Sequence, residues 1–130
     1  MVSSLGCRSY DSRVDIGYFF KTAPEKAAID FLHALHNRDP GYIYDNFLPN
    51  KDKNRISRQR FLEEFLGLLE DVDQIDIHST VYLGYEGDLS KVVVEFDVIY
   101  TNGGISEYKK YIYLLEENNK WKIIFEKTFI

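Results

Sequence analysis

Apolar residues recur at helical spacing up to residue 69 and alternate with polar ones after residue 73, so the chain divides into a helical half and a strand half. Thr22-Ala23-Pro24-Glu25 has capping-box spacing with a proline in the first turn, which predicts a helix start. Ala27, Ala28, Phe31, Leu32 and Leu35 then form one stripe, and the helix is expected to stop near Asn37. Asp39-Pro40 is an N-cap and N1 pair opening a second, short helix with Ile43, Tyr44, Phe47 and Leu48, closed by Pro49. Residues 50–56 are expected to form a polar loop, and Ser57 to cap a third helix. In that helix Phe61, Leu62, Phe65, Leu66 and Leu69 are expected to face inward, with Glu63, Gly67 and Glu70 outward.

Beyond Asp73, Ile75, Ile77, Val81 and Leu83 alternate with Asp76, His78, Thr80 and Tyr82 in a first strand. A connector over Gly84 to Ser90 is expected, then a second strand over Lys91 to Thr101 and a hairpin turn at Thr101-Asn102-Gly103-Gly104. A third strand over Ile105 to Glu116, a turn over Glu117 to Lys120 and a last strand over Trp121 to Ile130 complete the pattern. Three helices followed by four hairpin-linked strands predict an α+β domain, an antiparallel β-meander with helices on one face. Residues 22–130 form that domain, with 1–21 as an approach segment or tether, and there is no repeat or internal linker.

The length of 130 residues suits one self-sufficient core. A composition of 45% hydrophobic and 28% charged residues excludes a disordered chain. Ten Tyr and nine Phe exceed what this length usually carries, and they suit strands, core and pocket lining alike. The net charge of −5 argues against a nucleic-acid partner, which needs concentrated Lys and Arg. The nearest basic cluster, Lys51, Lys53, Arg55, Arg58 and Arg60, includes Asp52 and reads as a solvated connector. No apolar run is long enough to predict a transmembrane segment.

Two segments carry a family resemblance. Ala27-Ala28-Ile29-Asp30-Phe31-Leu32-His33-Ala34-Leu35, followed by Asn37-Arg38-Asp39, resembles the opening helix of NTF2-like proteins, and Trp121-Lys122-Ile123-Ile124 resembles their closing strand. The relatives include DUF4878-like bacterial lipoproteins and SnoaL-like and ketosteroid-isomerase-like proteins. The resemblance implies a cystatin-like α+β cone, with three N-terminal helices packed on a curved four-stranded antiparallel β-meander. It also implies a pocket at the wide end and dimerisation through the sheet. It does not imply one activity, because this fold hosts many.

Candidate chemistry is sparse. His33 and His36 are three apart, but His33 lies nearly opposite the apolar stripe and His36 at its margin, so solvated histidines are expected rather than a metal pair. Asp76 and His78 share a strand face with Thr80 and Tyr82; a carboxylate near an imidazole is raw material for acid–base work, and an exposed polar face is the plainer account. Glu95 and Asp97 sit between Val93 and Ile99 on a half-apolar face. A two-residue turn at Asn102 to Gly104 would set that face opposite Tyr108, Lys110, Ile112 and Leu114, giving a cross-strand ion pair with Lys110. A three-residue loop would set the acids beside Tyr111 and Tyr113, and a desolvated Asp97 there could act as a base. No Ser-His-Asp order, phosphate loop or CxxC is present, and no cofactor or metal is expected.

Ser4-Leu5-Gly6-Cys7 resembles the end of a bacterial lipoprotein signal, with a small residue before the cysteine. Its leucine lies two residues before the cysteine, where three is usual, and six residues hold no signal core. Lipidation of Cys7 and an extracytoplasmic location are therefore expected only if translation starts upstream of Met1; otherwise Cys7 is a free thiol on a cytoplasmic protein.

Three functions follow. The first is a non-enzymatic module, a homodimer through the sheet, that binds a small apolar ligand or a protein partner. The second is a small-molecule isomerase, cyclase or dehydratase with Asp97 as base and Tyr111 as acid. The third is a scaffold whose cavity is filled by side chains. Phe31, Phe47, Phe65, Asp97, Tyr111, Tyr113 and Trp121 are the expected pocket-lining residues.

Overall fold

The computed structural model describes residues 20–128; Cys7 and most of the expected tether lie outside them. Helix α1 (Ala23–His36) starts at the expected capping box, in which Thr22 N–H donates to Glu25 Oε1 at 2.7 Å and Glu25 N–H donates to Thr22 Oγ1 at 3.3 Å. Helix α2 (Pro40–Phe47) is capped by Asp39, whose carboxylate accepts from Tyr42 N–H at 3.1 Å. Helix α4 (Arg58–Leu68) is capped by Ser57, accepting from Arg60 N–H at 3.2 Å. Between them the expected loop contains a one-turn helix, α3 (Asn50–Lys53), which Pro49 starts and Asn54 ends.

Among the described residues, β1 (Val72–Glu86), β2 (Leu89–Tyr100), β3 (Ile105–Glu117) and β4 (Lys120–Ile123) form one antiparallel sheet in sequence order. The even-numbered residues of β2, Val92, Val94, Phe96 and Val98, are buried beneath the helices together with Ile112, Leu114 and Ile123. Phe31, Ile43 and Phe47 meet them from the helix layer, and all three are at most 4% exposed. The Phe31 ring stands edge-on to Phe47 and to Phe125, each 5.8 Å away between centroids.

Four expectations are corrected. The Gly84 to Ser90 connector is mostly strand: β1 runs to Glu86, a tight turn at Gly87-Asp88 follows, and β2 begins at Leu89. Strict alternation along β1 fails, because pairing to β2 skips Asp73, His78 and Leu83. Each skipped residue is a β-bulge, which reverses the facing of every residue beyond it. Thr80 is therefore buried, while Val81 and Leu83 are 47% and 50% exposed. Leu66 is 47% exposed rather than inward, since α4 lies at the margin of the core and buries Phe61. Finally, the last strand ends at Ile123. Ile124 N–H still donates to Tyr113 O, but Tyr113 N–H donates to the Thr128 hydroxyl, so helix α5 (Phe125–Thr128) completes the ladder. That turn swings Phe125 onto Phe31.

The outer edge of β1 is occupied by side chains. Ile75 N–H donates to His36 Nδ1 at 3.0 Å, Tyr82 N–H donates to Glu25 Oε2 at 3.0 Å, and Lys21 Nζ donates to Thr80 O at 3.0 Å. Arg38 donates to Val72 O at the strand's start. Glu25 thus serves both the helix start and the sheet edge. Burial pushes its carboxyl up, but the bonds from Thr22 and Tyr82 and the nearby Lys21 charge outweigh this and hold it below the ordinary glutamate range.

Candidate functional site

The turn after β2 decides which residues meet. Tyr100 N–H donates to Gly104 O at 2.8 Å, so three residues, Thr101 to Gly103, form the loop, and Gly103 takes a positive φ of 89°. Odd-numbered residues then oppose odd-numbered ones: Val93 with Tyr111, Glu95 with Lys109, Asp97 with Glu107. This is the face turned away from Val92, Val94 and Phe96, and so away from the helices. Glu95 and Asp97 therefore share a helix-free face with Tyr111 and Tyr113, and Lys110 is not their partner.

On that face the two separate sequence candidates come together. His78, bulged out of β1, lies with Nε2 2.9 Å from Asp97 Oδ2. Their side chains are 55% and 23% exposed. The bond to Asp97 raises the His78 pKa, its charge adds to this, and Asp76 and Glu107 contribute further. Ser79 Oγ donates to Glu95 Oε1 at 3.0 Å beside the pair. A cavity of 450 Å³ adjoins them, lined by His78, Glu95, Asp97, Glu107, Tyr108 and Lys109 with buried Phe96 behind.

The other end of the same face carries cations on aromatic rings. Lys91 Nζ lies 4.8 Å from the Tyr111 ring centroid and 5.5 Å from that of Tyr113, and Lys127 Nζ lies 4.5 Å from Tyr113. Both lysines reach Glu86, at 3.4 and 2.9 Å. Between the two ends, Val81, Val93 and Tyr111 make one cross-strand row, in which Val81 and Tyr111 are 47% and 42% exposed.

These residues form an antiparallel sheet with helices packed on one face, an architecture similar to two solved structures. One is a Novosphingobium aromaticivorans protein named as an aromatic ring hydroxylase, at 15% identity over 78% of this chain and 81% of that one, with a TM-score of 0.54. The other is a Xanthomonas campestris protein named as a calcium/calmodulin dependent protein kinase II association domain, at 18% identity over 89% and 84%, with a TM-score of 0.47. The first likeness carries the assignment of the fold. The chain has the NTF2-like fold. No protein-family model matches its sequence, and no curated protein matches it.

In this NTF2-like domain the expected pocket residues are dispersed. Phe31 is fully buried in the core. Phe65 lines a marginal groove of 370 Å³ with Phe61, Leu68 and Phe125. Phe47 and Trp121 border a 260 Å³ depression beside Tyr42, whose hydroxyl donates to Asp30 at 2.6 Å. Asp97 and Tyr111 share a face but lie four β3 positions apart in register, about 13 Å along the strand. A 730 Å³ cleft lies where Pro49, Leu89, Leu115 and Ile124 meet two lysines, Lys51 and Lys127, and four acids, Glu86, Asp88, Glu117 and Glu126. Among the described residues no cluster of three His, Asp or Glu side chains is placed to hold a metal, and no helix is long and apolar enough to cross a membrane.

The structural roles of His36, Glu25 and Lys21 at the β1 edge were not legible in the sequence. A histidine at the margin of an apolar stripe is a signal for such an edge acceptor only once the neighbouring strand is placed.

Proposed function

We propose that this chain is a non-enzymatic module that pairs with a second copy, and recognises protein, through the helix-free face of its sheet. The observation that carries the reading is the filling of the fold. Phe31, Ile43, Phe47, Val92, Val94, Ile112, Leu114 and Ile123, at most 4% exposed, pack between helices and sheet where an apolar ligand would lie. Recognition is then left to surface, and the β1 edge is occupied by side-chain hydrogen bonds, which disfavours strand addition. The helix-free face offers exposed Val81, Leu83 and Tyr111 within a charged rim, the composition of an interface.

The His78–Asp97 pair supports the isomerase-like reading less well. Asp97, the base of that reading, is held by His78 at 2.9 Å, and Tyr111, its acid, lies about 13 Å away along the strand. Sedimentation velocity of the native chain tests the proposal, together with native mass spectrometry. A dimer without a bound small molecule is expected, and Val93→Lys in the middle of the apolar row should yield monomer that keeps its fold. A stoichiometric apolar ligand held by the wild type, or a wild-type monomer at high micromolar concentration, would overturn it.

A further inference from the structure

The two edges of the sheet differ. Side chains occupy the β1 edge, whereas β4 covers the β3 edge only from Leu114 to Glu117. Tyr113 is the last residue served on that side: its carbonyl accepts from Ile124 N–H, and its N–H donates to the Thr128 hydroxyl. The backbone groups of successive residues in an antiparallel strand turn to opposite sides. Those of Ile105, Glu107, Lys109 and Tyr111 therefore turn the same way as those of Tyr113. Among the described residues, none of these four has a backbone partner on that side. A stretch over residues 105–111, about 20 Å long, thus stands open on a sheet whose other edge is masked.

We infer that this open edge docks the same strand of a second copy, antiparallel about a two-fold axis at Tyr108, so that two sheets join edge to edge. The charge pattern of β3 selects both the occupant and the register. Outward-turned residues must face outward-turned residues, so the axis passes through a residue. An axis at Glu107, Lys109 or Lys110 sets that residue against its own copy, and like charges directly opposite are destabilising. An axis at Ser106 runs Lys109 and Tyr111 past the partner's strand into its loop. The axis at Tyr108 sets Glu107 against Lys109 and Ile105 against Tyr111, twice each, with Ser106 opposite Lys110. It also gives Ile105, 63% exposed in the single copy, an apolar neighbour. The pairing closes on itself: the joined sheet has only its two β1 edges left, and side chains mask both. A single strand pair is a small interface, so the contact is weak and is read by trapping rather than by sedimentation. It is separate from pairing through the helix-free face, because Tyr108 stands on the other side of the sheet, with Phe96.

Cysteine trapping reads the contact and its register. In a Cys7→Ser background, three variants carry Tyr108→Cys, Ser106→Cys or Lys110→Cys, each checked for folding by circular dichroism. At the axis, position 108 faces its own copy in a non-hydrogen-bonded pair, with Cα atoms about 4.5 Å apart, within reach of a disulfide. In a buffer of oxidised and reduced glutathione, Tyr108→Cys is expected to form linked dimer at least about tenfold faster than either other variant alone. An equimolar mixture of Ser106→Cys and Lys110→Cys is expected to link within about fivefold of that rate, and it carries the same test if Tyr108→Cys fails to fold. Adding Glu107→Lys to Tyr108→Cys should slow linkage at least about fivefold, and adding Lys109→Glu as well should restore it. Linkage at 108 no faster than at 106, with a mixture that also fails to link, would overturn the inference and leave the edge to a strand of another protein. Fast self-linkage of Lys110→Cys would overturn the register. Fast linkage at 108 in a chain that sediments as a monomer would overturn pairing through the helix-free face and leave the edge contact standing.

Discussion

Phe31→Ala tests the filled interior directly. Phe31 is fully buried, and its ring contacts Phe47 and Phe125 edge-on. Full burial of a phenylalanine side chain contributes roughly 2–3 kcal/mol by transfer from water. The alanine leaves a void of roughly 80 Å³ after relaxation, which adds about 2 kcal/mol at about 24 cal/mol per Å³. The expected loss is about 4–5 kcal/mol, a large part of the roughly 5–15 kcal/mol that holds a domain of this size together. In urea melts with a slope of about 1.5–2 kcal/mol per molar, the midpoint should fall by about 2–3 M with the slope unchanged. The void should also stay dry and take up xenon, seen by xenon-129 NMR in the variant and not in the wild type. A loss under about 1.5 kcal/mol, with the wild type itself taking up xenon, would refute the reasoning: the interior would then be an open ligand cavity.

Two further outcomes follow from titrating groups. Asp97→Asn should lower the His78 pKa toward the ordinary histidine range, with Asp76 and Glu107 still raising it, as read by NMR titration of its ring protons. Because folding raises the His78 pKa, the pair's contribution to stability is complete below the ordinary histidine range and fades as pH rises through the raised value, and this dependence should shrink in the variant. Lys122 is buried at 4% exposure, and burial first, then Lys53 and Lys120, lower its pKa. Wild-type stability should therefore rise as pH climbs from that lowered value toward the ordinary lysine range; Lys122→Met should remove this dependence and gain about 1 kcal/mol near neutrality.

What the sequence revealed was local. The caps at Thr22, Asp39 and Ser57 were readable because a cap and the amide it satisfies lie two or three residues apart. The change from helix to strand after Asp73 was readable from period alone, while the facing along β1 was not, because bulges at Asp73, His78 and Leu83 arise from pairing with a partner strand. The surroundings of Asp97 depended on one residue of loop length at Thr101 to Gly103, which composition leaves open when both Asn-Gly and Gly-Gly are present. The C-terminal turn into α5 was hidden for a similar reason. Its cause is the Thr128 hydroxyl taking a ladder position from Tyr113, a contact across fifteen residues.

The side chains along the β1 edge have a consequence for how this protein fails. An uncovered strand edge is a template on which further chains add and from which fibrils grow. Here that template is masked by residues at and around one helix, Lys21, Glu25, His36 and Arg38, and not by charges on the strand itself. Whatever detaches α1, whether heat, a lost cap or truncation before Ala23, unmasks a fifteen-residue strand in the same event. Loss of the first helix would then be an aggregation step rather than a harmless fraying, and α1 acts as this sheet's built-in chaperone.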